Sequence, residues 1–130
     1  MKHYLLVPGS EKNFTLESRE SDTPQPAAGE VLVKINAASL NYRDLLMLQG
    51  ASGSGGDDPV IPLSDGAGEI TALGEGVSEW KVGDRVTPTF FRDWQDGPFS
   101  MAYHKAARGG SCDGVLSQYL TAPAHSLTRT

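Results

Sequence analysis

Cysteine is almost absent from this chain. Cys112 stands alone, so no internal disulfide can form and no four-thiolate metal lobe can be assembled. A lone thiol makes cytoplasm the expected compartment. Long apolar runs are missing too: no stretch reaches the roughly 18 residues of a membrane-spanning helix. The start, MKHYLLVPGSEKN, has too short an apolar segment for a signal peptide. Positive charge is scarce and scattered. Eleven Lys and Arg against sixteen Asp and Glu give a formal net charge of −5, which argues against nucleic acid or an anionic membrane as partner. His3, His104 and His125 lie far apart and show no metal-ligand spacing.

Turn formers, by contrast, are plentiful. Fifteen glycines and eight prolines in 130 residues favour short strands joined by tight turns over long helices. The length suits one domain, and 38% hydrophobic residues can furnish its core. Residues 3–8 and 13–20 read as a hairpin around the PGSEKN turn. EVLVKINAAS alternates, with Val31, Val33, Ile35 and Ala37 on one face and Lys34 and Asn36 on the other. A helix is predicted from Tyr42 to Gln49 and closed by Gly50, followed by the polar loop GASGSGGDD. GAGEITALGEG, VSEWKVGDRVTP and GVLSQYLTAP each yield a strand, and HSLTRT starts one more. Residues 92–113 show no period and read as a long loop. The fold class is mainly β (α+β), with one or two short helices.

The helix start is unusually polar: an amide, a phenol, a guanidinium and a carboxylate stand together at Asn41, Tyr42, Arg43 and Asp44. A cap needs only one of them. Asn41 or Ser39 capping the helix, with Asp44 at its positive end and Arg43 paired to a carboxylate, is one account. A binding site is the other. Gly83 and Asp84 form a tight turn, and Gly66 and Gly68 leave room for another backbone or for a ligand.

Three stretches, VLVKINAASLNYRDLLMLQG, PVIPLSDGAGEITALGEGVSEWKVGDRVTP and DGVLSQYLTAP, resemble in order the N-terminal catalytic part of the medium-chain dehydrogenase/reductases. The likeness runs from about residue 25 to 127. It implies a GroES-like domain over 1–130, a twisted, partly open β-barrel, set against a Rossmann nucleotide-binding domain that these residues do not contain. In zinc-dependent members a Cys matches Asn41 and a His-Glu pair matches Ser64-Asp65. An amide and a hydroxyl are not the thiolate and imidazole that zinc prefers, so the resemblance implies a zinc-independent type, akin to quinone oxidoreductases.

By the same resemblance Asn41, Ser64 and Asp65 are the candidate catalytic residues. Tyr42 and Arg43 are candidate cofactor contacts, and Phe90, Phe91 and Trp94 candidate lining of the substrate pocket. The implied cofactor is NADPH or NADH, and the implied substrate a quinone, enone or other carbonyl compound. Arg43 cannot relay a proton at neutral pH, but it can hold a phosphate or carboxylate with two parallel bonds. The aromatic residues can equally be core. GASGSGG and GEGVSE lack the strand–glycine–helix context of a pyrophosphate cradle. These residues alone are therefore expected to be inactive, with a surface including Leu46, Phe90, Phe91 and Trp94 left apolar and prone to self-association. A stand-alone protein-interaction module and an alcohol dehydrogenase that has lost its zinc are the competing readings.

Overall fold

Alternating apolar residues and frequent turn formers build this chain from antiparallel strand pairs. The computed structural model describes residues 1–9, 13–49 and 58–130. The middle of the PGSEKN turn, Gly50 and nearly all of the GASGSGGDD segment lie outside the described residues. Strands β1 (Lys2–Pro8) and β2 (Phe14–Glu20) form the opening hairpin, in register from Lys2 opposite Glu20 to Pro8 opposite Phe14. Strand β3 (Glu30–Ser39), helix α1 (Tyr42–Leu48), β4 (Asp65–Leu73), β5 (Arg85–Pro88), β6 (Tyr119–Pro123) and β7 (Leu127–Arg129) follow. The last five strands make one antiparallel sheet in the order β6-β3-β4-β5-β7. It curls into the partly open barrel that the resemblance implied.

The sheet buries one main core of Val31, Val33, Ile70, Trp80, Val86, Ala122, Ala124 and Leu127. Trp80 reaches it from the turn before β5, and its indole Nε1 donates to the Ala124 carbonyl at 2.8 Å. The turn into β5 has Gly83 at φ 97°, which glycine adopts at little cost, while the Asp84 carboxylate accepts the Lys81 N–H at 2.9 Å. That hydrogen bond, more than any charge nearby, holds the Asp84 carboxyl below its ordinary pKa. A second cluster, Leu6, Met47 and Val60, ties the hairpin to α1.

The alternation predicted for β3 breaks partway along. Val31 and Val33 are buried and Ile35 half-buried, but Ala37 is exposed. A bulge leaves Asn36 as an extra residue between Ile35, which faces Gly68, and Ala37, which faces Ala67, and from there to Ser39 the strand is exposed on both faces. Residues 92–113, expected as a loop, hold a 3₁₀ turn (Met101–Ala106) whose first free N–H, on Ala102, donates to the Ser100 hydroxyl. Among the described residues, no helix is long and apolar enough to cross a membrane.

Candidate functional site

Because β3 and β4 are antiparallel, the end of one lies beside the start of the other, and Ser39 pairs with Asp65. Asn41 follows two residues later, in extended backbone (φ −124°, ψ 156°), as the residue preceding α1. Its amide Nδ2 donates to Asp65 Oδ2 at 2.6 Å, across 24 residues of sequence. The Asn41 backbone N–H donates instead to Asp44 Oδ2 at 2.8 Å, so Asp44 closes the first turn of the helix. The capping account holds for Asp44 but not for Arg43, which meets the Arg108 carbonyl and the Phe90 ring in place of the expected carboxylate. Asn41 begins the helix with its backbone and turns its side chain toward Asp65. The second carboxylate oxygen of Asp44 is buried without a hydrogen-bond partner.

Ser64 is buried, next to the exposed Asp65. The residue before it, Leu63, has φ 72°, a left-handed conformation that costs a leucine roughly 1–2 kcal/mol. Such a conformation persists only where the surroundings fix it. Here the segment 109–116 does so: Gly114 N–H donates to the Ile61 carbonyl at 2.7 Å and Val115 N–H to the Leu63 carbonyl at 3.0 Å. Gly109 and Gly114 both lie so close to Leu63 that a Cβ on either would meet its backbone. Gly66 and Gly68 resolve likewise. A Cβ there would meet Val115 and the Lys34 carbonyl respectively, so the space they leave is taken by protein.

Tyr42 is exposed beside Asn41, whereas Arg43 turns inward. Its Nη1 donates to the Arg108 carbonyl at 3.1 Å, and its guanidinium carbon lies 4.8 Å from the centre of the Phe90 ring. Burial pushes its pKa down, opposed by the charge of Asp44. Phe90 packs edge-on against Phe91 at 4.6 Å, and Phe91 contacts Trp94 at 5.9 Å. Phe99, Tyr103 and His104 complete this aromatic group. The sequence-predicted residues thus form two sets, Asn41 with Asp65 and Phe90 with Phe91 and Trp94, joined through Arg43. Of the expected apolar surface, Leu46, Phe90 and Phe91 are half-buried and Trp94 is exposed. Leu40 (79% exposed), Tyr42 (74%) and Leu45 are more open still.

The residues that sequence reasoning missed are Leu63, Arg108, Gly109 and Gly114. Two glycine-containing dipeptides, Gly109-Gly110 and Asp113-Gly114, were the available signal, since such dipeptides mark sharp backbone turns. The site's donors are amide, hydroxyl and carboxylate. Among the described residues, no group of three or more His, Cys, Asp or Glu could hold a metal ion. Asn41 and Ser64 do not fit zinc, whose usual ligands are thiolate and imidazole. What this arrangement can do is orient a carbonyl oxygen or a ring amide by hydrogen bonding.

The model of the alcohol dehydrogenase GroES-like domain matches residues 27–130. A zinc-type alcohol dehydrogenase-like protein of Schizosaccharomyces pombe is 46% identical over 114 residues, covering 86% of this chain and 33% of its own length. An acryloyl-coenzyme A reductase of Metallosphaera sedula is 43% identical over 131 residues, covering 96% of this chain and 39% of its own length. A short chain alcohol dehydrogenase of E. coli CFT073, crystallised with NADH, superimposes with a TM-score of 0.75 at 28% identity, covering 99% of this chain and 38% of that one. The chain thus spans between a third and two-fifths of the length of these three proteins.

Proposed function

The chain belongs to the alcohol dehydrogenase family through its GroES-like domain, and on that premise we propose that it is the substrate-side domain of an NAD(P)H-dependent, zinc-independent oxidoreductase. The proposed substrate is a carbonyl compound, either a quinone or an enone-like activated alkene. The hydrogen bond from Asn41 to Asp65 carries this reading. It joins two of the positions that the family resemblance assigns to the zinc site and its neighbours, and fills them with hydrogen-bonding groups. The likeness to an acryloyl-coenzyme A reductase favours an alkene conjugated to a carbonyl.

The nicotinamide, when bound by a nucleotide domain, would supply the hydride. This chain's residues supply orientation and electrostatics. Asn41, held by Asp65, would present its amide to the substrate carbonyl or the nicotinamide carboxamide. Ser64, set by the strained Leu63, is the second polar group proposed there. Tyr42 is exposed, and its hydroxyl would be open to a cofactor phosphate. Arg43 would reach such a phosphate only by leaving Phe90, and in the present geometry it braces the wall formed by Phe90, Phe91 and Trp94.

The test needs these residues joined to a nucleotide-binding domain. Asn41→Ala should then lower turnover of an enone or quinone by roughly 1–3 kcal/mol of barrier, the cost of losing a polar contact. Unchanged kinetics with a lower melting temperature would reduce Asn41 to a helix cap. Elemental analysis of the same protein should find no stoichiometric zinc, despite the name of the S. pombe relative. One tightly held equivalent would overturn the zinc-independent reading.

A second reading, an interaction module, is favoured by the exposure of Leu40, Tyr42 and Leu45 at the same end as Asn41. It predicts self-association of the isolated chain in sedimentation, together with NADH or NADPH binding weaker than about millimolar. A clean monomer at high concentration would remove it, and micromolar cofactor binding would contradict the second half.

A further inference from the structure

A cavity of about 290 Å³ lies away from Asn41, at the β3–β6 end of the sheet, bordered by Glu30, Arg92, Arg108, Cys112 and Asp113. Arg108 is 2% exposed. A guanidinium carries five N–H donors and stays charged at neutral pH. Its Nη1 donates to the Asp113 carbonyl at 3.3 Å and its Nη2 to the Ser126 hydroxyl at 3.4 Å, both neutral acceptors at long range. Its Nε is buried and has no hydrogen-bond partner. Three ion pairs form among the described residues, Arg19–Glu17, Arg92–Asp93 and Arg129–Asp84, and Arg108 is in none of them. A buried cation without a contacting counter-charge is unfavourable, and here Asp113 and Asp93 offset the charge only in part. Burial accordingly pushes its pKa below the ordinary value.

The neighbouring carboxylates are partly committed elsewhere. Asp113 Oδ1 accepts the Ile61 N–H and Glu30 Oε1 accepts the Ala27 N–H, each at 3.0 Å. Arg92 borders the same cavity and spends its Nε and Nη2 on Asp93. Two guanidiniums thus flank a space larger than a phosphate ion, Arg92 with its Nη1 outside the pair with Asp93, and guanidinium N–H groups suit tetrahedral oxyanions. Glu30 and Asp113 oppose a bare anion but can accept a hydrogen bond from one that carries a hydroxyl.

We propose that this cavity is a binding site for a hydroxyl-bearing tetrahedral oxyanion, of which hydrogenphosphate is the simplest, held between Arg92 and Arg108. Cys112, the chain's single thiol, borders the cavity and serves as its reporter. The chain is titrated with inorganic phosphate, sulfate or chloride at matched ionic strength and neutral pH, and alkylation of Cys112 by uncharged iodoacetamide is timed. Phosphate should slow alkylation saturably, by about tenfold at ten times its dissociation constant. Sulfate, which has no hydroxyl to donate at this pH, should protect more weakly. Arg92→Gln, at a half-buried position where the fold is expected to survive, should abolish protection with an unchanged far-ultraviolet circular dichroism spectrum. Equal rates in phosphate and chloride, or full protection of the Arg92→Gln variant, would overturn the site. Equal protection by sulfate would overturn the hydroxyl requirement.

Discussion

Trp80→Ala is expected to destabilise the chain by about 3–5 kcal/mol, the usual cost of deleting a large buried aromatic. The indole is 9% exposed and packs into the main core among residues of β3, β4, β5 and β7. It also spans to the Ala124 carbonyl at 2.8 Å and so, with Thr89 and Ser126, holds the 3₁₀ turn that links β6 to β7. Outside, the Arg129 guanidinium sits 5.0 Å from the ring centre and pairs with Asp84 at 3.3 Å, covering the indole's other side. Trp80→Phe separates packing from hydrogen bonding. It keeps most of the apolar bulk and leaves the carbonyl unpaired, so a smaller loss of about 1–3 kcal/mol is expected. Urea unfolding followed by circular dichroism measures both. Equal losses for the two variants would mean that the hydrogen bond, not the packing, dominates.

Trp80 shows how the fold could be read from the sequence. Most strands announced themselves through local alternation or a glycine-bounded apolar run, and the turn formers placed the boundaries of β1, β2, β4 and β5 within a few residues. Of GVLSQYLTAP, however, only Tyr119–Pro123 is strand. Reading failed where structure depends on what lies across the sheet. Ala37 looked inward by parity, but β3 leaves the core after Ile35 and is exposed from Asn36 to Ser39, and nothing local in KINAAS announces the bulge there. The 3₁₀ turn at Met101–Ala106 was invisible because it is built on an aromatic cluster and a single serine cap, with no helical repeat.

The candidate site divides the same way. Its polar half, Asn41 with Asp65, was legible because unusual residue types crowd one helix start. The contact between them follows from the pairing of β3 with β4, which only the register supplies. Arg43 was legible as a charge but not as a direction. A guanidinium at a helix start can turn outward to a phosphate or inward to an aromatic ring, and only the presence of Phe90 and the free Arg108 carbonyl decides for the inward position. Arg108 itself gave no sign, since buried arginines share the composition of exposed ones. The supporting half of the site was hidden more deeply, because it is made of backbone.

That backbone support makes Gly114→Ala the substitution expected to damage the site most from outside it. A Cβ at this position would lie 1.9 Å from the Leu63 carbonyl oxygen and 2.5 Å from that of Pro62. Both atoms are main chain, so no rotamer change can relieve the contact. Either the 61–64 segment or the 109–116 segment must move. The Gly114 N–H bond to Ile61 and the Val115 N–H bond to Leu63 would be lost or lengthened, and with them the restraint that keeps Leu63 at φ 72°. A loss of at least about 3 kcal/mol follows from overpacking combined with broken buried hydrogen bonds. Gly76→Ala is the contrast. Gly76 also has positive φ, 83°, but a Cβ there meets nothing within 4 Å, so only the left-handed penalty of about 1–2 kcal/mol applies. The two variants should therefore differ in urea midpoint. They should differ also in amide spectra, where Gly114→Ala shifts Ser64, Asp65 and Asn41 and Gly76→Ala leaves them in place. If Gly114→Ala proved no more harmful than Gly76→Ala, the 109–116 segment could not be what holds Ser64 and Asp65 beside Asn41.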